Sequence, residues 1–193
     1  MRAPVVASAA IAGLIIMSAT ASCRRGKATM PKPEAYPRIE MPDSSFHPVK
    51  AGGLELTLNR GAETTVTERT DGGTWITISY PTGVDAKVYL TLTPAAGSET
   101  TDTIIANRRE RMSLNLSGSE AIATTLTSRS GWECEMLTSN SALSTPVQIL
   151  ASDGHRVISG ALYLDIPAST AADSVAPVID AIDRDMLTLL KNL

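Results

Sequence analysis

Cys23 is the residue with the clearest chemistry in this chain. It closes an uncharged run from Val5 to Ala21 and follows the small residues Thr20, Ala21 and Ser22. Small residues ahead of a cleavage point suit a signal peptidase, and Arg2 supplies a minimal positive leader. The arrangement is that of a bacterial lipobox, with Thr20 standing where a bulky residue is usual. In that reading the Cys23 thiol becomes a thioether to diacylglycerol and its freed amine is acylated, palmitate being the expected chain. Several acyl chains, at about 0.8 kcal/mol per buried CH₂, hold a protein durably where one chain is marginal. The chemistry of Cys23 is therefore attachment.

No other residue offers comparable chemistry. Of the two cysteines, the second, Cys134, lies between Trp132 and Met136 in an alternating run, which reads as a buried apolar thiol. Its neighbours Glu133 and Glu135 disfavour a thiolate. The two histidines, His47 and His155, are far apart in sequence, and neither has the nitrogen and sulfur partners that zinc requires. No G-x-S-x-G, P-loop or G-x-G-x-x-G occurs. Asp183 and Asp185 read as ordinary carboxylates on one exposed helix face. Asn107 to Arg111 could serve as a basic patch for phosphate or lipid, but Glu110 interrupts it and a solvated helix face is the simpler reading. The expectation is a protein with no catalytic residues, no metal and no cofactor. A formal net charge of −3 with scattered basic residues argues against nucleic acid as a partner.

Around Cys23 the chain divides into residues 1–22 as a lipoprotein signal peptide, 23–50 as the lipidated cysteine with a basic tether and a proline-rich segment, and 51–193 as a single domain. The competing reading is an uncleaved signal anchor, because Arg24, Arg25 and Lys27 follow the apolar run and oppose its outward transfer. Against it, the run is short for a span of about 20 residues, and a cysteine sits at its end. The prolines at 31, 33, 37, 42 and 48 forbid a helix and favour extended backbone. Tyr36, Ile39 and Met41 are more apolar than a free spacer needs, so this segment is expected to lie along the domain surface; a proline-stiffened spacer is the alternative.

Pro31-Lys32-Pro33-Glu34-Ala35-Tyr36-Pro37-Arg38-Ile39, with Pro42 beyond, resembles the PKPxGYxRIxxP-like opening of the gliding motility lipoprotein GldD family of the Bacteroidota. Ala35 stands where glycine is usual, and Pro37 where an aromatic is common. Near the other end, Arg156 to Tyr163 is similar to an RG-x-LYF-like strand, and Asp173-Ser174 through Pro177 to a DS-x-x-P helix start. Between Gly52 and Ser141 the likeness is one of pattern. The resemblance implies a non-enzymatic outer-membrane lipoprotein that helps the gliding and type IX secretion apparatus to assemble or stay stable. Implied partners are the membrane, through the lipid anchor, and other lipoproteins and membrane proteins of that machinery. Surface-exported lipoproteins of the phylum carry acidic residues after the cysteine, so Arg24, Arg25 and Lys27 place the domain on the periplasmic face. Tyr36, Arg38, Ile39 and Tyr163 are the candidate partner-binding residues. The alternative role is a periplasmic lipoprotein that binds lipid or another small ligand.

The elements that must position these residues follow from periodicity. Leu54, Leu56 and Leu58 alternate, as do Ile76, Ile78 and Tyr80, and Val88, Leu90 and Leu92; each set predicts a half-buried strand. The β-branched run Thr64 to Thr70 pairs with its successor across Asp71-Gly72-Gly73. From Ser98 to Leu116 the period changes, with Ile104, Ile105, Arg108, Met112 and Leu116 at helical spacing. Ala121 to Thr127 is open between helix and strand. Strands are predicted near Trp132–Leu137, Pro146–Leu150 and His155–Leu164, the last two joined by a hairpin at Asp153-Gly154. A closing helix starts at Asp173 or Ser174, with Pro177 in its first turn. Its stripe of Val175, Val178, Ile179, Ile182, Met186, Leu189 and Leu193 should pack on the sheet. This order defines an α+β domain, a mainly antiparallel sheet with two packed helices, and is similar to the PsbP/Mog1-like sandwich.

Overall fold

Alternating apolar positions and glycine turns fix strands over most of the domain. A computed structural model describes residues 44–82, 84–95, 100–139, 144–166 and 172–193. Cys23, Tyr36, Arg38, Ile39 and the rest of the Pro31–Pro42 segment lie outside the described residues. The strands are β1 (Phe46–Ala51), β2 (Leu54–Asn59), β3 (Glu63–Glu68), β4 (Thr74–Pro81), β5 (Asp85–Pro94), β6 (Ile122–Thr127), β7 (Glu133–Thr138), β8 (Val147–Ser152) and β9 (Arg156–Asp165). Helix α1 (Thr101–Leu116) separates β5 from β6, and α2 (Ala172–Lys191) closes the chain. A seven-stranded sheet has the order β3-β4-β5-β9-β8-β7-β6, and β1-β2 form a separate hairpin. Every pairing is antiparallel, so the α+β architecture read from the sequence is the one observed.

One face of the large sheet is sealed from β4 to β7. The alternation of β4, β5, β7, β8 and β9 sends Ile76, Ile78, Val88, Leu90, Met136, Ile149, Ile158 and Leu162 to that face. The stripe of α2, with Val178, Ile182, Leu189 and Leu190 at 0% exposure, packs there beside Leu56 and Leu58 of the hairpin. Cys134 is buried in this core, and burial pushes its thiol up to about 11 with help from the Glu133 charge. It is a core residue, as its flanks predict. The hairpin turn, Gly52-Gly53, has φ of 55° and 74°, a backbone that glycine adopts without strain. The Glu68 carboxylate clamps this turn to the sheet by accepting from the Gly52 N–H at 3.1 Å and the Thr74 hydroxyl at 2.6 Å.

Several local readings change. Strand β1 precedes Leu54, where the sequence alternation begins. Pro48 masks it, yet β1 pairs on one side only, with β2, where a missing N–H is tolerated. Ala121–Thr127 resolves as strand β6 at the sheet edge. Helix α2 starts at Ala172, so Pro177 lies inside it rather than in its first turn. Most important, Asp183 and Asp185 do not share an exposed face. Residues two apart on a helix point to different sides. Asp183 accepts from the Thr138 hydroxyl, whereas Asp185 is only 7% exposed and accepts from Asn59 Nδ2 at 2.8 Å. Burial raises the Asp185 carboxyl above its ordinary range, with the Asn59 bond opposing. The Tyr80 hydroxyl is buried without a hydrogen-bond partner of good geometry among the described residues. Its ionisation is pushed far up by burial and by the Asp185 charge.

Candidate functional site

The opposite face of the sheet is only partly covered. Helix α1 is capped by Thr100, whose hydroxyl accepts from the Thr103 N–H at 3.3 Å, and ends at Ser117 in the left-handed region. Its apolar residues Ile104 and Met112, with Ile105 alongside, pack on Leu150, Val157 and Leu137. That stripe is narrow, and it packs mainly on β8 and β9, with Leu137 of β7 at its margin. The matching face of β3, β4 and β5 therefore stays open. It carries Thr65 and Thr67, then Trp75, Thr77 and Ser79, then Lys87, Tyr89, Thr91 and Thr93, all exposed or half-buried.

Three aromatic residues stand on this face. Trp75 is 51% exposed, Tyr89 47% and Tyr163 44%. The pairings Trp75↔Thr91 and Lys87↔Tyr163 place each one residue pair further along than the last, on the neighbouring strands β4, β5 and β9. They thus form a diagonal line, with steps of about 7–8 Å between backbone positions. Tyr89 and Tyr163 meet edge to face, ring centres 5.5 Å apart. At the other end the Arg69 guanidinium lies 4.2 Å from the centre of the Trp75 ring and is held by Asp71 at 3.2 Å.

Beside the line, a groove of about 190 Å³ runs between α1 and the sheet, with Tyr89, Thr91, Arg111, Ser159 and Tyr163 among its lining residues. Its floor is fixed by Gln148, which is 1% exposed. Gln148 Nε2 donates to the Met112 carbonyl at 3.2 Å, and its Oε1 accepts from Asn115 Nδ2 at 3.1 Å. Arg108 donates to the Thr93 hydroxyl at 3.4 Å. Arg111 is exposed and makes no ion pair among the described residues. The run Asn107 to Arg111, read from the sequence as a solvated helix face, is solvated along Arg109 and Glu110 but turns Arg108 and Arg111 toward the groove.

The open face presents rings, hydroxyls, guanidinium ions and the Lys87 ammonium, which Asp85 holds at 2.9 Å. Among the described residues no group of His, Cys, Asp and Glu could hold a metal, and no helix is long and apolar enough to cross a membrane. His47 lies on β1 and His155 in the β8–β9 turn. Of the residues singled out from the sequence, Tyr163 falls on the open face, while Cys23, Tyr36, Arg38 and Ile39 are outside the described residues. Sequence reasoning missed Trp75, Tyr89 and Arg69. The signal was available for two of them, since Trp75 is out of phase with Ile76, Ile78 and Tyr80, and Tyr89 with Val88, Leu90 and Leu92.

The fold is that of an α+β domain, built on a sheet with one largely sealed and one partly open face. Residues 26–193 match the model of the family described as gliding motility lipoprotein GldD, and the chain belongs to that family. The match takes in both the proline-rich segment and the whole of the described domain. No curated protein sequence matches the chain. Family membership makes this a gliding motility lipoprotein, associated with a membrane.

Proposed function

We propose that the protein is a non-enzymatic accessory component that helps the gliding and type IX secretion apparatus to assemble or stay stable. Cys23, freed by removal of residues 1–22, anchors the domain on the periplasmic face of the outer membrane. Confinement to that surface raises its effective concentration for membrane-bound partners. The domain docks other lipoproteins and membrane proteins of the machinery through the open sheet face, with Tyr36, Arg38 and Ile39 of the proline-rich segment adding contacts.

The observation that carries this reading is the line of Trp75, Tyr89 and Tyr163, exposed together on one sheet face. Aromatic residues and arginine are the usual anchors of protein interfaces, since they bring large area at low entropic cost. The hydroxyls between them supply hydrogen bonds without the desolvation cost of charge.

A cross-linking pull-down from native membranes tests it, with C-terminally tagged wild type compared with Tyr89→Ala/Tyr163→Ala, Tyr36→Ala/Arg38→Ala and Cys23→Ala forms. Gliding and secretion components should come down with the wild type and fade with each variant, while melting temperatures of the first two stay near that of the wild type. Unchanged capture by Tyr89→Ala/Tyr163→Ala would remove the open face from the interface. No capture by the wild type would remove the accessory role itself and turn attention to a retained small ligand.

A further inference from the structure

The two edges of the seven-stranded sheet are built differently. Edge strand β3 carries Glu63 and Glu68, and Glu68 is engaged by the hairpin turn. Edge strand β6 reads Ile122-Ala123-Thr124-Thr125-Leu126-Thr127, with no charge and no proline. It pairs with β7 on one side, and none of its backbone groups bonds elsewhere among the described residues. Ile122 is 70% exposed, the most exposed of the large apolar residues among those described. Proteins normally protect sheet edges with charges, prolines or bulges, because an unprotected edge templates further pairing. Edge β6 has none of these.

We propose that β6 is a self-pairing edge that joins two copies of this chain into one continuous antiparallel sheet. In a two-fold pairing that continues the sheet, directly opposed residues share a face, so each strand position meets one of the same parity. Centring the pairing on Thr124 sets Ile122 against Leu126 of the second copy, on the face that α2 covers. Ala123 then meets Thr125 of the second copy, and the two Thr124 hydroxyls stand opposite each other. At both ends Glu120 comes beside Ser128 and within reach of Arg129 of the second copy. Glu120 and Arg129 are exposed and form no ion pair among the described residues, so the charges left over by one copy complement those of the other. Shifting the centre to Ala123 would set Glu120 against Leu126, and shifting it to Thr125 would leave Ile122 against Ser128. The apolar and charged positions thus select one register.

A single strand pair buries less surface than a stable dimer in dilute solution needs. Two copies held in one membrane meet at a much higher effective concentration, and there the pairing suffices. The site is separate from the open aromatic face and does not depend on its role.

Disulfide trapping in native membranes tests the register, using the full-length chain with Thr124→Cys. Residues on the two-fold axis have Cα atoms about 4.5–5.5 Å apart, within the span of a disulfide. Mild oxidation should convert most Thr124→Cys chains to a covalent homodimer. Thr65→Cys, on the opposite edge, should give less by a factor of about ten or more. Adding Ile122→Glu should abolish the Thr124→Cys dimer. Co-expression of Ala123→Cys and Thr125→Cys forms, carrying different tags, provides a second trap that leaves Thr124 intact. Equal yields on the two edges, or no homodimer from either trap, overturns the proposal. A mixed disulfide with another polypeptide also overturns it, by assigning the edge to a foreign strand.

Discussion

On strands β4 and β5, neighbouring residues in the sequence have opposite fates. Ile76, Ile78, Val88 and Leu90 are sealed under the hairpin and α2, while Trp75 and Tyr89, one position away, stand about half exposed. The difference arises from what covers each side. Helix α2 brings a full apolar stripe and the β1-β2 hairpin adds two leucines, enough to close one face from β4 to β7. The apolar residues of α1 pack mainly on β8 and β9, with Leu137 of β7, and leave the matching face of β3, β4 and β5 open. A side chain of high apolar area on the sealed face contributes to stability. The same kind of side chain on the bare face adds little to stability and, in the role proposed above, is free to meet a partner.

Four substitutions would break or sharpen this contrast. The largest effect is expected from Ile182→Ala, at a fully buried position of α2. Loss of the side chain and the cavity left behind should cost about 2–5 kcal/mol in denaturant titrations. A loss under 1 kcal/mol would mean that the sealed face is loosely packed.

Gly160→Ala should come next. Gly160 lies opposite Leu90, and an added Cβ would run into the Tyr89 carbonyl and the Leu90 side chain. Overpacking at the β5–β9 pair should cost about 1–3 kcal/mol and disturb the placement of Tyr89 from beneath. Chemical denaturation together with near-ultraviolet circular dichroism would register both effects.

Asp185→Asn probes the one carboxylate, among the described residues, buried in the sealed face. Its folded carboxyl is raised above the ordinary value by burial, so its contribution to stability is complete below the unfolded pKa of about 3.9 and is lost as pH rises through the folded value. The amide can still accept from Asn59. The variant should therefore melt above the wild type at pH 7 and converge with it toward pH 4. Thermal melts across that range check the sign, and a wild type that is the more stable at pH 7 would contradict it.

Trp75→Ala should have the smallest effect on stability. It removes an exposed ring and its contact with Arg69, worth about 0.5–1 kcal/mol at an exposed site. Partner capture should nevertheless fall as it does for the tyrosine pair. A large loss of stability with unchanged capture would reverse the roles assigned to the two faces.

The strands and helices were legible because their signals are local. Alternation at Leu54–Leu58, Ile76–Tyr80 and Val88–Leu92, the turns at Asp71-Gly72-Gly73 and Asp153-Gly154, and the stripe of α2 each fit within one element. Where two local signals conflicted, reading failed. Pro48 hid β1 because a proline speaks against a strand, although one free edge removes the objection. Asp185 looked solvated because carboxylates usually are, although its place in the helix period turns it toward the sheet and Asn59.

By itself the sequence determined the α+β class, the burial of Cys134 and membership of the GldD family. These depend on periodicity and on motifs that neighbouring residues carry. Only the tertiary structure decided which apolar residues meet a cover. Trp75, Tyr89 and Tyr163 come from three strands, one of them distant in sequence, and join in a line only through the order β4-β5-β9. Whether they are core or surface depends on the width of the helix laid over them, a property that no one of those strands encodes.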